Sequence, residues 1–236
     1  MQVIPVLDIR GGQVVHAAGG DRAAYRPIET PLAEGNDPVS VAAGLLRLFP
    51  FRQLYVADLD GIGGGDRDRA TIAQLTATWP DLELWVDNGA GTPEEARSLL
   101  APDRVTAVVG SETWREPDRL AEFVAASPAR IVLSLDFRGD TFLGPAALLA
   151  QPETWPDRVI VMTLARVGSG AGPDVERLKE IAALAGPACQ IYAAGGVRGR
   201  DDLLALSDAG AAGVLVASAL HAGKIKAGDL YRIAGL

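Results

Sequence analysis

Two short segments place the same reactive groups in the same order: LDIRGG at 7–12 and LDFRGD at 135–140. In each, an aspartate ends an apolar run and an arginine follows two residues later. Burial disfavours the charged form of a carboxyl, so Asp8 or Asp136 is expected to hold its proton into the working range of a general acid. Two facing carboxylates with divergent pKa values form an acid–base pair that moves protons on both sides of a bound sugar. The structural alternative is that each aspartate caps its loop, or pairs with Arg10 or Arg138 within the repeated D-x-R. The duplicated placement favours chemistry.

A second set of residues suits an anion. Glycine lets backbone N–H groups approach a phosphate with no Cβ in the way. Gly195 and Gly196 follow one apolar run, with Gly172 in the Gly-rich stretch before it, and Ala217-Ser218 open a short helix after the next run. A helix N-terminus beside a glycine turn is an anion site. The same pattern recurs earlier at Gly89, Gly110 and Ser111, which predicts a second phosphate site and hence a long ligand with a phosphate at each end. There Asp87-Asn88 stand where the later copy has Ala194-Gly195. A carboxylate beside a phosphate is unfavourable unless it points away or holds a cation.

These residues need elements to hold them. Apolar runs at 2–7, 53–57, 82–86, 105–109, 130–135, 159–163, 190–194 and 213–217 read as strands buried on both faces. Helix-start chemistry lies between them at Asp37-Pro38, Thr92-Pro93, Glu116-Pro117 and Pro173-Asp174. Eight alternating units without a linker predict a single (βα)8 TIM barrel over 1–236, an open doubly wound sheet being the alternative. An internal repeat favours the barrel. Trp85 to Tyr192 and Val109 to Val216 are equal separations, linking WVDNGAG to YAAGGVR and VGSETW to VASALH. ADLDGIGGGD pairs with LARVGSGAGPD one residue further apart. Asp8 and Asp136 lie about 20 residues further apart still, so the first loop is the long one. Half-barrels at about 1–128 and 129–236 follow, with Asp8 and Asp136 on opposite strands of the ring. In such barrels, loops after the strand C-termini carry function, and phosphate sits after strands seven and eight.

Composition excludes other classes. The 236 residues are 48% apolar with a formal charge of −8 and no basic cluster, which argues against nucleic acid or an anionic membrane as partner. No run approaches a membrane span and the N-terminus does not read as a signal peptide, so a cytoplasmic protein is expected. Cys189 is the sole cysteine and reads as a small buried strand residue. His16 and His221 do not read as a metal pair. No metal or cofactor is expected, and the oligomeric state stays open. Asp58 and Asp60 divide evenly between loop architecture and substrate contact. Residues 21–26, Asp-Arg-Ala-Ala-Tyr-Arg, read as a lid or a solvated loop.

IPVLDIRGGQVV, LYVADLDGI, VVGSE, LSLDFRG, AAGGVRGRDDL and GVLVASALHAGK together resemble, over essentially the whole chain, the barrels of histidine biosynthesis. These are the phosphoribosyl isomerase and the cyclase subunit of imidazole glycerol phosphate synthase. The isomerase is the nearer, since Ile9 and Arg10 do not supply the cyclase's lysine. The resemblance implies an Amadori-type aldose–ketose isomerase of a phosphoribosyl small molecule. It implies Asp8 as the base at C2, Asp136 as the acid at the ring oxygen, and Thr163 as a supporting threonine. The family's glycine triplet and arginine are replaced by 87–91, Asp-Asn-Gly-Ala-Gly, and the strand-five loop that brings a Trp onto the imidazole is shortened to 139–145. The chain also resembles an isomerase relative linked to methanopterin-type one-carbon metabolism, which implies a ribofuranosyl-aminobenzene phosphate as alternative substrate. Altered loops leave a non-catalytic phosphosugar-binding or scaffold barrel as the reading from another class.

Overall fold

The computed structural model describes residues 1–16 and 25–235. Eight parallel strands form the ring: β1 (Gln2–Arg10), β2 (Gln53–Asp58), β3 (Glu83–Asp87), β4 (Val105–Gly110), β5 (Ile131–Arg138), β6 (Arg158–Thr163), β7 (Gln190–Ala194) and β8 (Gly213–Val216). Each pairs with the next, and β8 pairs with β1 from Gln2↔Gly213 to Pro5↔Val216. That last ladder closes the barrel and excludes the open sheet. Four steps separate β1 from β5, so the two aspartate strands are diametrically opposed.

Helices α1 (Pro38–Leu48), α2 (Arg69–Thr78), α3 (Pro93–Arg97), α4 (Leu120–Ala126), α5 (Ala146–Ala150), α6 (Val175–Ala185), α7 (Arg200–Asp208) and α8 (Ala227–Ala234) follow the strands in turn. Their starts are written locally. Asp37, Asp68, Thr92 and Asp174 each accept a backbone N–H of the first turn, and Pro38 and Pro93 occupy first positions where no donor is needed. The caps of α2 and α6 show that Asp68, rather than Asp66, is the structural counterpart of Asp174. The outward strand residues Leu7, Val56, Leu84, Val109, Leu133 and Val161 pack against these helices in the main core. The alternate residues fill the barrel: Ile4, Tyr55, Trp85, Val108, Val132, Ile160, Tyr192 and Leu215.

β1 and β5 run past the expected ends, so Asp8 and Asp136 lie inside strands. The reason is the repeated motif. Ile9↔Val14 and Arg10↔Gln13 form an antiparallel ribbon, as do Phe137↔Phe142 and Arg138↔Thr141. Gly11, Gly12 and Gly139 turn them with φ of 56°, 73° and 60°, the left-handed region that tight hairpins require. Cys189 stands one residue before β7, half-buried, its thiol pushed up to about 11 by burial. Among the described residues no helix is long and apolar enough to cross a membrane.

Candidate active site

Period-two alternation decides which side chains reach the mouth. Asp8 follows Ile4 and Val6 on the inner face of β1; Asp87 follows Trp85 on β3; Asp136 follows Val132 and Ser134 on β5. All three line one cavity of about 390 Å³ at the C-terminal end of the barrel. Tyr55 lies between them, its phenol 3.5 Å from Asp87 Oδ2. Burial pushes that phenol well up, and the charges of Asp87, Asp136 and Asp8 push the same way.

The two opposed aspartates have different surroundings. Asp136 Oδ2 accepts from Ser111 Oγ at 3.1 Å and the Glu112 N–H at 3.2 Å, and Oδ1 accepts from Ser134 Oγ at 2.8 Å. Burial, followed by the charge of Asp87, nevertheless raises its pKa to about 7, outweighing the hydrogen bonds that favour the carboxylate. Asp8 also rises to about 7, through burial alone. Neither carboxyl is ion-paired to Arg10 or Arg138 among the described residues. Both groups therefore exchange protons near neutrality.

The two expected anion ends differ. At the β7–β8 end, Gly195, Gly196, Ala217 and Ser218 all line the cavity. Gly195 and Gly196 have φ of 97° and 88°, and a Cβ on Gly196 would stand 2.3 Å from the Gly172 carbonyl oxygen. Gly172 is thus a backing residue outside the cavity; a Cβ there would meet Arg198 Nη2 at 3.0 Å. At the β3–β4 end, Gly89, Gly110 and Ser111 do not line the cavity. The Gly89 N–H donates to Asp87 Oδ1 at 3.0 Å, the Ser111 N–H donates to the Ser134 carbonyl at 2.8 Å, and Ser111 Oγ is engaged with Asp136. The structure does not bring this second set together as an open cradle.

Thr163 follows the inward Met162 and so takes the other face. It is buried outside the cavity, and its carbonyl oxygen would lie 2.7 Å from a Cβ on Gly195. Asp58 and Asp60 serve loop architecture: Asp58 accepts the N–H groups of Gly61 and Asp68, and Asp60 accepts that of Gly11. His221 is buried with Nδ1 3.1 Å from Thr30 Oγ1, and burial followed by the nearby His16 lowers its pKa to about 4. Among the described residues no group of three or more His, Cys, Asp or Glu is placed to hold a metal. Of the stretch read as a lid, residues 21–24 lie outside the described residues; Tyr25 lines the cavity, beside His16.

Sequence reasoning did not single out Arg198 and Lys224, the two cations beside the β7–β8 glycines. Arg198 is held by Asp202 at 2.7 and 2.9 Å, an i,i+4 pair that was legible in GVRGRDD. Lys224 comes from the turn after the short Ser218–His221 helix, and no local signal marks it. No ring from the 139–145 loop enters the cavity: Phe142 packs on Phe137, with centroids 5.3 Å apart.

Fold and site together define a (βα)8 barrel with opposed carboxyls poised near neutrality and a cationic glycine turn at one edge. Residues 2–226 match the family described as histidine biosynthesis protein, and the chain belongs to that family. It is 32% identical to a 1-(5-phosphoribosyl)-5-((5-phosphoribosylamino)methylideneamino) imidazole-4-carboxamide isomerase of Picosynechococcus sp., covering 100% of this chain and 94% of the relative. It is 30% identical to the isomerase of the same name from Myxococcus xanthus, covering 98% of each. An uncharacterized protein of Methanocaldococcus jannaschii is 27% identical over 94% of both chains.

Proposed function

We propose that this protein is an aldose–ketose isomerase that opens the ring of a phosphoribosyl compound by acid–base chemistry, the reaction class named for its relatives. The observation that carries the reading is the pair Asp8 and Asp136: opposed, inward-facing and both raised to about 7. The phosphate is anchored at Gly195, Gly196, Ala217 and Ser218, where Lys224 and Arg198 supply positive charge. Gly172 and Thr163 support that turn through their backbones. The sugar then spans the mouth between β8 and β5, with one carboxyl on each side.

Asp136 is the acid. Two further carboxylates, Asp87 and Glu112, raise its pKa and so favour the protonated form. It gives its proton to the furanose oxygen as the C1–O bond breaks and the substituent nitrogen's lone pair forms C1=N⁺. Asp8, raised by burial and by no charge among the described residues, is the base. It takes the C2 proton, and the electrons of that bond neutralise the nitrogen as C1=C2 forms. Tautomerisation of the enaminol moves the hydroxyl's hydrogen count to C1 and leaves a ketone at C2, so atoms and charge balance. No group outside the chain and substrate is needed for this balance.

Asp8→Asn and Asp136→Asn test the reading. Each should lower turnover by at least about a hundredfold while the fold persists. Near-normal turnover in either would overturn the assignment.

A further inference from the structure

We propose that Asp87 closes the β3–β4 edge of the mouth to phosphate, so that the substrate carries a phosphate at one end only. This rests on the isomerase reading for its setting and on the internal repeat for its argument. The repeat sets the two halves in one register at the edge in question. Asp87, Asn88, Gly89 and Gly91 correspond to Ala194, Gly195, Gly196 and Arg198, and Gly110-Ser111 correspond to Ala217-Ser218. The scaffold of the turn is the same in both. Gly89 abuts the Gly61 carbonyl as Gly196 abuts that of Gly172, at 2.4 and 2.3 Å from a built Cβ. Glu95 accepts the Gly91 N–H at 2.8 Å as Asp202 accepts that of Arg198 at 2.7 Å.

What differs is everything an anion would use. Ala194 has no oxygen to offer, whereas Asp87 Oδ1 takes the Gly89 N–H. Asp87 Oδ2 and Asp136 Oδ2 converge on Gly110, 3.3 and 3.5 Å from where its Cβ would be. The cation of Arg198 is replaced by Gly91, and the position matching Lys224 is Pro117. Arg115 reaches the Gly91 turn but is tied to Glu95 at 3.0 Å and does not line the cavity. Ser111, unlike Ser218, is shut away beneath Asp136. Among the described residues a phosphate there would meet the Asp87 carboxylate, a Gly89 N–H already taken by it, and no cationic side chain in the places of Arg198 and Lys224, an unfavourable arrangement in a partly desolvated site. The relatives' isomerase is named for a compound with two phosphoribosyl groups, and this edge is built against the second.

Calorimetric binding tests the proposal without relying on turnover. The probes are ribose 5-phosphate and the two-phosphate compound named for the relatives, titrated into the intact wild-type protein, Asp87→Asn and Asp87→Gly. The two-phosphate compound should bind the wild type no more than about threefold more tightly than ribose 5-phosphate. In Asp87→Asn, which keeps the side-chain shape, it should tighten at least about tenfold while ribose 5-phosphate is unchanged. A wild type that prefers the two-phosphate compound by a hundredfold overturns the proposal, as does an Asp87→Asn protein of normal melting temperature with unchanged selectivity. If neither variant folds, the wild-type ratio alone decides. Absence of turnover on every phosphoribosyl compound, with this selectivity intact, would sink the isomerase reading and leave the role of Asp87 standing.

Discussion

Ser111 and Asp136 hold each other by two contacts: the Asp136 N–H donates to Ser111 Oγ at 2.9 Å, and Ser111 Oγ lies 3.1 Å from Asp136 Oδ2. Ser111 Oγ also lies 2.8 Å from the Leu143 carbonyl oxygen, which fastens the loop after β5. A residue that the sequence repeat marks as a phosphate ligand therefore holds the Asp136 carboxyl in place. Ser111→Ala should lower kcat by about tenfold and leave the KM of a phosphoribosyl substrate within about twofold. A rise in KM at unchanged kcat would restore Ser111 to the phosphate.

The pH profile follows from the two carboxyls. The proposed reaction requires Asp8 without its proton and Asp136 with it. Both are placed at about 7, so kcat/KM should be bell-shaped with its maximum near pH 7, falling about tenfold per unit on either side. Rate measurements from pH 5 to 9 check this. A plateau across that range would remove these groups from the rate-limiting chemistry.

Stability should carry the opposite mark of the same burial. The Asp8 pKa rises from 3.8 to about 7 on folding, so its contribution is full below pH 3.8 and lost as pH rises to about 7. Asp8→Asn removes that loss. Its melting temperature should exceed the wild type's by a few degrees at pH 8 and match it at pH 3.5. A variant less stable than the wild type at pH 8 would contradict the burial of Asp8.

Much of the architecture was legible because both repeats and strand ends are written in local chemistry. The D-x-R segments with following glycines encode two ribbons at opposite points of the ring, and the glycine pair at 195–196 encodes the left-handed turn after β7. Gly196 shows what was not legible. Replacing it by Asp tests no charge effect, because any Cβ falls 2.3 Å from the Gly172 carbonyl oxygen. Thr163 shows another limit: its residue type matched the family, but strand parity turns it from the cavity. Asp87 was visible as an irregularity in the repeat. Only the fold shows that its carboxylate takes the N–H of Gly89 and meets Asp136 across Gly110.

Lys224 is the cleanest probe of the proposed phosphate anchor, since it lines the cavity without an ion-pair partner among the described residues. Lys224→Ala should raise KM about tenfold with kcat changed less than about threefold, and ribose 5-phosphate should weaken as an inhibitor in parallel. An unchanged KM would move the phosphate away from the β7–β8 edge.

Proton abstraction by Asp8 is read most directly from the fate of the hydrogen on C2. A ribofuranosyl-aminobenzene phosphate and the relatives' two-phosphate compound are each incubated with wild-type protein in deuterium oxide and followed by proton NMR. At least one compound should give a ketose whose C1 carries solvent deuterium in place of the hydrogen lost from C2. Asp8→Asn should slow that loss by at least about a hundredfold. A ketose whose C1 carries the original C2 hydrogen and no solvent deuterium, or formation of the ketose at the wild-type rate in Asp8→Asn, would contradict proton abstraction by Asp8.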